Sequence, residues 1–279
     1  MGLHVEIKKD ARTALRWCWG RAVALLLSAA AVSLLVSLVE ELVLTMLDAM
    51  PEGSLGMDPQ SVLDAVLGAS LPALLVTAGA ALVVLAVEAP FFIGRRGWYY
   101  RMAGGERENI ITAFRVFSSP RRYFRALGFV ALLVLKKLLW ALLFIGPGVA
   151  LSFFMGNVGP DSLFKFDLGQ NSAQLIGWAG IAGTVMAVLG ALLWLVVIQR
   201  YFAAPFIVAS GSTVKEAFAG SVRCTRGRRA ELFLFEFSFL GWWALCFFVL
   251  PMLYAEPYHS ASSAIYARYL IEKSDRADG

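Results

Sequence analysis

Histidine is nearly missing from this chain: His4 and His259 are the two in 279 residues. A histidine-built metal centre or a nucleophile–histidine triad needs imidazoles gathered at one place, so both are disfavoured. Three cysteines, Cys18, Cys224 and Cys246, follow no metal or redox spacing and read as free thiols. Also lacking are a His-Glu-x-x-His stretch, a Gly-x-Ser-x-Gly elbow and a phosphate-cradling loop ending in Gly-Lys-Ser/Thr. Gly104-Gly105 reads as a turn, and His259 beside Ser260 as a packed polar pair. The expectation is a non-enzyme with no cofactor and no bound metal.

Charge is scarce as well. Asp, Glu, Lys and Arg make up 16% of the chain, against 59% apolar residues and a mean hydropathy of +0.68. A water-soluble domain is closer to half apolar and a quarter charged. A helix needs roughly 20 apolar residues to cross the hydrocarbon core. Five stretches approach that length: Ala22–Leu47 (broken by Glu40 and Glu41), Leu71–Gly94, Leu127–Met155, Leu175–Val197 and Leu232–Leu253. A sixth, Pro251–Leu270, carries Glu256, His259 and several serines. It reads as a final crossing that faces protein rather than lipid, because polar groups at membrane depth need partners.

The few basic residues are sorted. Of the 25 Lys and Arg, all but Lys136, Lys137 and Lys165 lie in four segments. These are the N-terminus up to Arg21, the stretch Arg95–Arg125, the stretch Arg200–Arg229, and the tail from Arg268. The intervening Asp48–Ser70 has no basic residue and Gly156–Gln174 has only Lys165. Cytoplasmic loops carry the excess of Lys and Arg. Six crossings with both termini in the cytoplasm satisfy this map; five would put Arg268, Lys273 and Arg276 outside. The first crossing reads as uncleaved, since its apolar run is longer than that of a signal peptide. Trp17, Trp19, Trp98, Tyr99, Tyr100, Tyr123, Tyr201, Tyr266 and Tyr269 sit near the same ends, where amphipathic rings settle at headgroup level. Basic residues tied to helix ends, rather than gathered in one patch, argue against a nucleic-acid partner despite the net charge of +5.

A threefold pattern runs through the chain. Glu88-Ala89-Pro90-Phe91, Ala203-Ala204-Pro205-Phe206 and Ala255-Glu256-Pro257-Tyr258 each place a proline between small or acidic residues and an aromatic. A short amphipathic stretch precedes each outbound helix. Along the first, Ile7, Ala11, Leu15 and Cys18 line one face and Lys8, Lys9, Arg12 and Arg16 the other. In the third, Thr213-Val-Lys-Glu216 forms a capping box, Val214, Phe218 and Val222 share a face, and Gly227 stops the helix. The predicted architecture is all-α: a polytopic bundle of six transmembrane helices in three hairpins, units 1–94, 95–210 and 211–279, with cytoplasmic amphipathic helices. Proline inside a membrane helix frees a carbonyl that a neighbour must satisfy. Either the three prolines mark a shared seam, or each simply ends its helix near the cytoplasmic face.

Three stretches of sequence resemble a known family. They are Ile7–Arg12 with Trp19-Gly20-Arg21; Pro90–Gly94 with Tyr99-Tyr100, Gly105-Glu106, Ala113-Phe114 and Tyr123–Ala126; and Ala204–Phe206 with Glu216-Ala217, Ser221, Gly227, Phe237–Trp242, Pro257-Tyr258 and Tyr266. Trp140 and the turn Ile145–Gly148 fit as well. Together they resemble the bacterial integral-membrane family known as domain of unknown function 975, with an enlarged segment at Val158–Gln174. A looser similarity is to the membrane domain of some bacterial glycerophosphodiester phosphodiesterases. The resemblance implies an architecture and a bacterial cytoplasmic membrane, with no chemistry attached.

Ionisable residues within the apolar runs are the candidates for function, because each is costly unless paired or wet. The candidate intramembrane polar site comprises Glu88, Pro90, Lys136, Lys137, Pro205, Glu236, Glu256 and Pro257. Lys137 with Glu236, or Lys136 with Glu256, is a conceivable buried pair; alternatively both lysines snorkel to the surface. Lys8, Lys9, Arg12, Arg16, Arg121, Arg122, Arg228 and Arg229 are candidates for anionic headgroup contact. Ala179, Gly183, Ala187 and Ala191 at four-residue spacing allow close helix approach, within the chain or in a homo-oligomer. The expected function is transporter-like, or binding of a lipid or small molecule. The alternative is a membrane scaffold recruiting a protein partner through its basic helices.

Overall fold

The computed structural model describes residues 2–47, 70–156, 172–246 and 249–278. Residues 48–69 and 157–171, where the sequence places its two outer loops, lie outside the described residues. Among the described residues every regular element is a helix. In order these are α1 (Leu3–Leu15), α2 (Trp19–Met46), α3 (Leu71–Ala103), a 3-10 helix (Ile110–Ser118), α4 (Pro120–Phe144), α5 (Gly146–Gly156) and α6 (Ser172–Ile198). A 3-10 turn (Gln199–Tyr201), α7 (Ala204–Ala209), α8 (Val214–Cys224), α9 (Arg229–Phe237), α10 (Leu240–Leu245) and α11 (Val249–Asp278) follow. Among the described residues four stretches are long and apolar enough to cross a membrane: α2, α3, α4 and Gly177–Ala209, which takes in most of α6, the 3-10 turn and α7.

The chain forms two compact units. The first holds residues 1–127 and 246–265. In it α1 buries Ile7, Ala11 and Leu15, one residue per turn, and leaves Lys9, Arg12 and Arg16 exposed, as the amphipathic pattern predicts. At the start of α2, Ala22, Leu25, Leu26 and Ala29 are buried. The Ser70 hydroxyl caps α3 by accepting from the Ala73 amide, 3.4 Å away, and Pro72 fits the first turn, where no amide is needed. Its 33 residues run about 50 Å at 1.5 Å each, well beyond a hydrocarbon core of about 30 Å. The surplus is the segment Ala89–Met102, whose Ala89, Pro90, Phe91, Ile93, Trp98, Tyr99 and Met102 are buried. From α11 this unit receives Ala255, Tyr258, Ser260, Ala261, Ser262, Ser263 and Ala264, all buried. The protein-facing character expected of that last stretch is what its burial displays.

The second unit holds residues 128–245 and 266–279. Here α5 and α6 pack backbone to backbone: a Cβ on Gly148 would stand 2.3 Å from the Ala187 amide, and one on Gly183 2.5 Å from the Ser152 hydroxyl. The small-residue stripe of α6 is thus used inside the chain. On α8 the capping box forms, with the Glu216 amide donating to Thr213 Oγ1 at 3.3 Å and the Thr213 amide to Glu216 Oε2 at 2.9 Å. Its buried face is Ala217, Phe218, Ser221 and Cys224, while Val214 and Val222 are half-buried. Gly227 adopts φ +79°, open mainly to glycine, just past the helix end.

The fifth apolar run differs from expectation. Leu232–Leu253 is not one helix: α9 stops at Phe237, α10 spans Leu240–Leu245, and α11 begins at Val249. At the break the Ser238 hydroxyl donates to the Phe235 carbonyl and the Phe239 amide reaches back three residues to Glu236. A serine bonding its own turn competes with the helical ladder, and the tightened turn swings Phe239 into full burial.

Candidate functional site

Proline supplies the starting point. Pro90 has no amide, so the carbonyl four residues earlier, at Ala86, loses its helical donor. The Tyr123 hydroxyl donates to that carbonyl at 3.0 Å. Pro90 and Pro257 both lie inside continuous helices, so neither ends its helix. Pro205 behaves differently: it stands in the first turn of α7, after a break. Ser221 stitches that break, donating to the Arg200 carbonyl at 2.9 Å and accepting from the Ala203 amide at 3.2 Å. The Thr225 hydroxyl adds a 3.4 Å bond to the same carbonyl. Tyr123 and Ser221 are the satisfying side chains that membrane prolines require.

Two turns above Arg95 on α3, Glu88 accepts a 2.9 Å hydrogen bond from Ser33 of α2. The pair stands in a cleft of about 540 Å³ between these helices, with Ser37, Glu40 and Thr77 also on its walls. The remaining lining is Val36, Ala80, Ala81, Val84 and Leu85. Two carboxylates and three hydroxyls therefore line one cleft between the apolar stretches of two helices.

Below the proline, Glu256 of α11 meets Arg95, with Nη1 3.6 Å from Oε1, and accepts from Ser260 at 2.9 Å. Both ion-pair side chains are largely withdrawn from solvent, at 18% and 17% exposed. Arg95 also covers the Phe91 ring at 5.5 Å, and Arg12 the Tyr258 ring at 5.2 Å. Among the described residues Arg95 Nε, Glu256 Oε2 and the Tyr99 hydroxyl have no hydrogen-bond partner, although Tyr99 is 1% exposed. Glu256 thus takes Arg95 as its cation.

In the second unit Lys136 Nζ lies 5.4 Å from the Phe218 ring centre, and the carbonyl of Lys137 accepts from Trp194 Nε1 at 2.9 Å. Glu236 is half-buried on α9. Arg200 sits against both Trp140 and Tyr201, at 5.4 and 5.3 Å. Of the candidate headgroup residues, Lys9, Arg12, Arg16, Arg121 and Arg122 are exposed; Lys8, Arg228 and Arg229 are half-buried, Arg228 over Tyr269 at 5.7 Å. Burial, then the Arg12 charge, lowers the Lys8 pKa from its ordinary value. Among the described residues no three His, Cys, Asp or Glu gather as metal ligands.

The sequence reading missed Arg95 and Tyr99 as a site because the apolar run ends at Gly94. The signal that finds them is helical spacing: Phe91, Arg95, Trp98, Tyr99 and Met102 continue one face of α3 beyond that run.

The family described as "Protein of unknown function (DUF975)" matches residues 1–274. The chain belongs to this family. No curated protein and no solved structure matches it, and nothing carries the looser likeness to phosphodiesterase membrane domains. With several helices long and apolar enough to span a bilayer, this family member is a membrane protein.

Proposed function

We propose that the protein crosses a bacterial cytoplasmic membrane six times, with both termini inside, and binds a lipid or small molecule without catalysing a reaction. The α2–α3 cleft carries this reading. Carboxylates at membrane depth are costly unless paired, wet or neutralised, and Glu40 and Glu88 face one open cavity with three hydroxyls beside them. A ligand with an amine or several hydroxyls would satisfy such a wall, whereas a purely structural role would favour close packing of the kind seen between α5 and α6, where Ser152 finds its partners in the neighbouring helix. The exposed basic face of α1 suits anionic lipid and would hold that helix in the headgroup plane.

Native mass spectrometry of protein extracted gently with its lipid tests the reading. The expected result is a retained small molecule or one selected lipid, lost on Glu88→Gln while the fold and accumulation persist. A retained partner protein with only bulk lipid would overturn it in favour of a scaffold. Loss of accumulation in both Glu88→Gln and Glu40→Gln would make those residues structural and remove its main support.

A further inference from the structure

A second cavity, sharing no residue with the Glu88 cleft, lies where the start of α2 meets the end of α3. It encloses about 380 Å³ between α1, the Trp17–Arg21 corner and the loop after α3, within the range of small-molecule pockets. Trp98 lines it, is 1% exposed, and its indole N–H is buried with no acceptor among the described residues. An unsatisfied buried donor is costly, and a ligand acceptor reaching this wall would relieve it.

The charges are of both signs. Arg21 spends one N–H on the Glu108 carbonyl at 2.8 Å, and the Glu108 carboxylate is engaged by Arg101 at 2.5 Å. That leaves Asp10, Glu106 and Arg107 on the wall, none with an ion-pair partner among the described residues. A simple anion would meet Asp10 and Glu106, and a simple cation would meet Arg21 and Arg107. A ligand bearing both an ammonium and an anionic acceptor satisfies all four and the indole.

Depth fits too. The Ser33–Glu88 bond fixes the register of α2 against α3; Arg21 and Met102 lie about 18 and 21 Å along their helices from it, at 1.5 Å per residue. They therefore share one level, at the end of the apolar stretch, where headgroups stand when these helices span. We propose that this pocket binds a zwitterionic phosphoethanolamine-type group, its phosphate on Arg21, Arg107 and Trp98 and its amine on Asp10 and Glu106. The group belongs to a phospholipid or to a free zwitterion.

The test uses the full chain in bilayer discs of equal phosphatidylethanolamine and phosphatidylglycerol, read by native mass spectrometry. The expected result is selective retention of phosphatidylethanolamine. In Asp10→Asn/Glu106→Gln that selectivity falls about tenfold, the loss of one charge-assisted hydrogen bond. Trp98→Phe weakens retention of both lipids. Arg107→Gln, on the exposed loop, likewise weakens retention of both lipids and gives an independent variant should the first fail to fold. Displacement by millimolar free phosphoethanolamine identifies a soluble zwitterion as the ligand, and its failure to displace identifies the lipid. Equal retention of the two lipids by the wild type, selectivity unchanged in the Asp10/Glu106 variant, or retention of both lipids unchanged in Arg107→Gln, overturns the proposal.

Discussion

Leu25 and Leu35 lie on the same helix, yet Leu25 is fully buried and Leu35 is 63% exposed. The contrast holds along whole segments. In the apolar window of α3 only 6% of residues are buried, whereas Ala89–Met102 of the same helix is mostly interior. Hydrophobicity is therefore not what separates the packed region from the bare one. The bare halves are Leu- and Val-rich and need nothing but lipid tails around them. The packed ends mix alanine, serine, aromatics and arginine, because there helices touch and every polar group requires a partner. Most of the specific structure of this chain sits at its basic ends.

The largest effect should come from testing whether the bare surface is truly dissolved in lipid. Leu35→Arg, midway along α2, should cost about 2.5–3.5 kcal/mol of insertion free energy and deplete the protein from the membrane. Val5→Arg, also exposed, at 51%, but on α1 outside the spans, should change accumulation little. If both are tolerated alike, the contrast between regions is one of solvent and not of lipid.

Next is overpacking. A Cβ on Gly94 would stand in overlap with the Ala113 carbonyl oxygen, a backbone atom that cannot swing aside. Gly94→Ala should destabilise by about 1–3 kcal/mol, read as a lower midpoint of unfolding in detergent. Gly79→Ala, where no described residue lies within 4 Å of the new methyl, should be neutral or slightly stabilising. A smaller loss, about 1 kcal/mol, is expected of Tyr123→Phe, which leaves the Ala86 carbonyl beside Pro90 without its donor. Ala86 and Tyr123 share a unit, so the same unfolding measurement reads both.

These contrasts also mark what was legible from sequence. The apolar runs, the amphipathic faces of α1 and α8, the capping box and the close-approach stripe of α6 follow from local periodicity, and local periodicity is what a sequence displays. The prolines were visible too, but not their partners: Tyr123 looked like an interface anchor and Ser221 entered only among the residues of the family resemblance, since their roles arise from long-range contacts. Arg95 was counted as a loop charge, because only packing against Glu256 makes it an interior one. Leu232–Leu253 read as one crossing because hydropathy registers oil and is blind to the turn that Ser238 closes.

The smallest effect at neutral pH belongs to Cys224, and it separates burial by protein from burial by lipid. Burial pushes its thiol pKa up to about 11 from the ordinary 9, against a lowering by its own backbone hydrogen bond and by Arg223. Because the folded value is the higher one, the neutral thiol's contribution to stability is complete below pH 9, where both states are protonated. Between pH 9 and about 11 the unfolded thiol ionises while the folded one does not, so stability falls across that window. Cys224→Ser should remove this alkaline decline and leave the unfolding midpoint at pH 7 nearly unchanged. Thiolate-directed reagents should label native Cys224 slowly at pH 7.5 from either side of the membrane and rapidly once the protein is unfolded. Fast labelling of the native thiol would place α8 outside the packed region and move the boundary between the two regions inward.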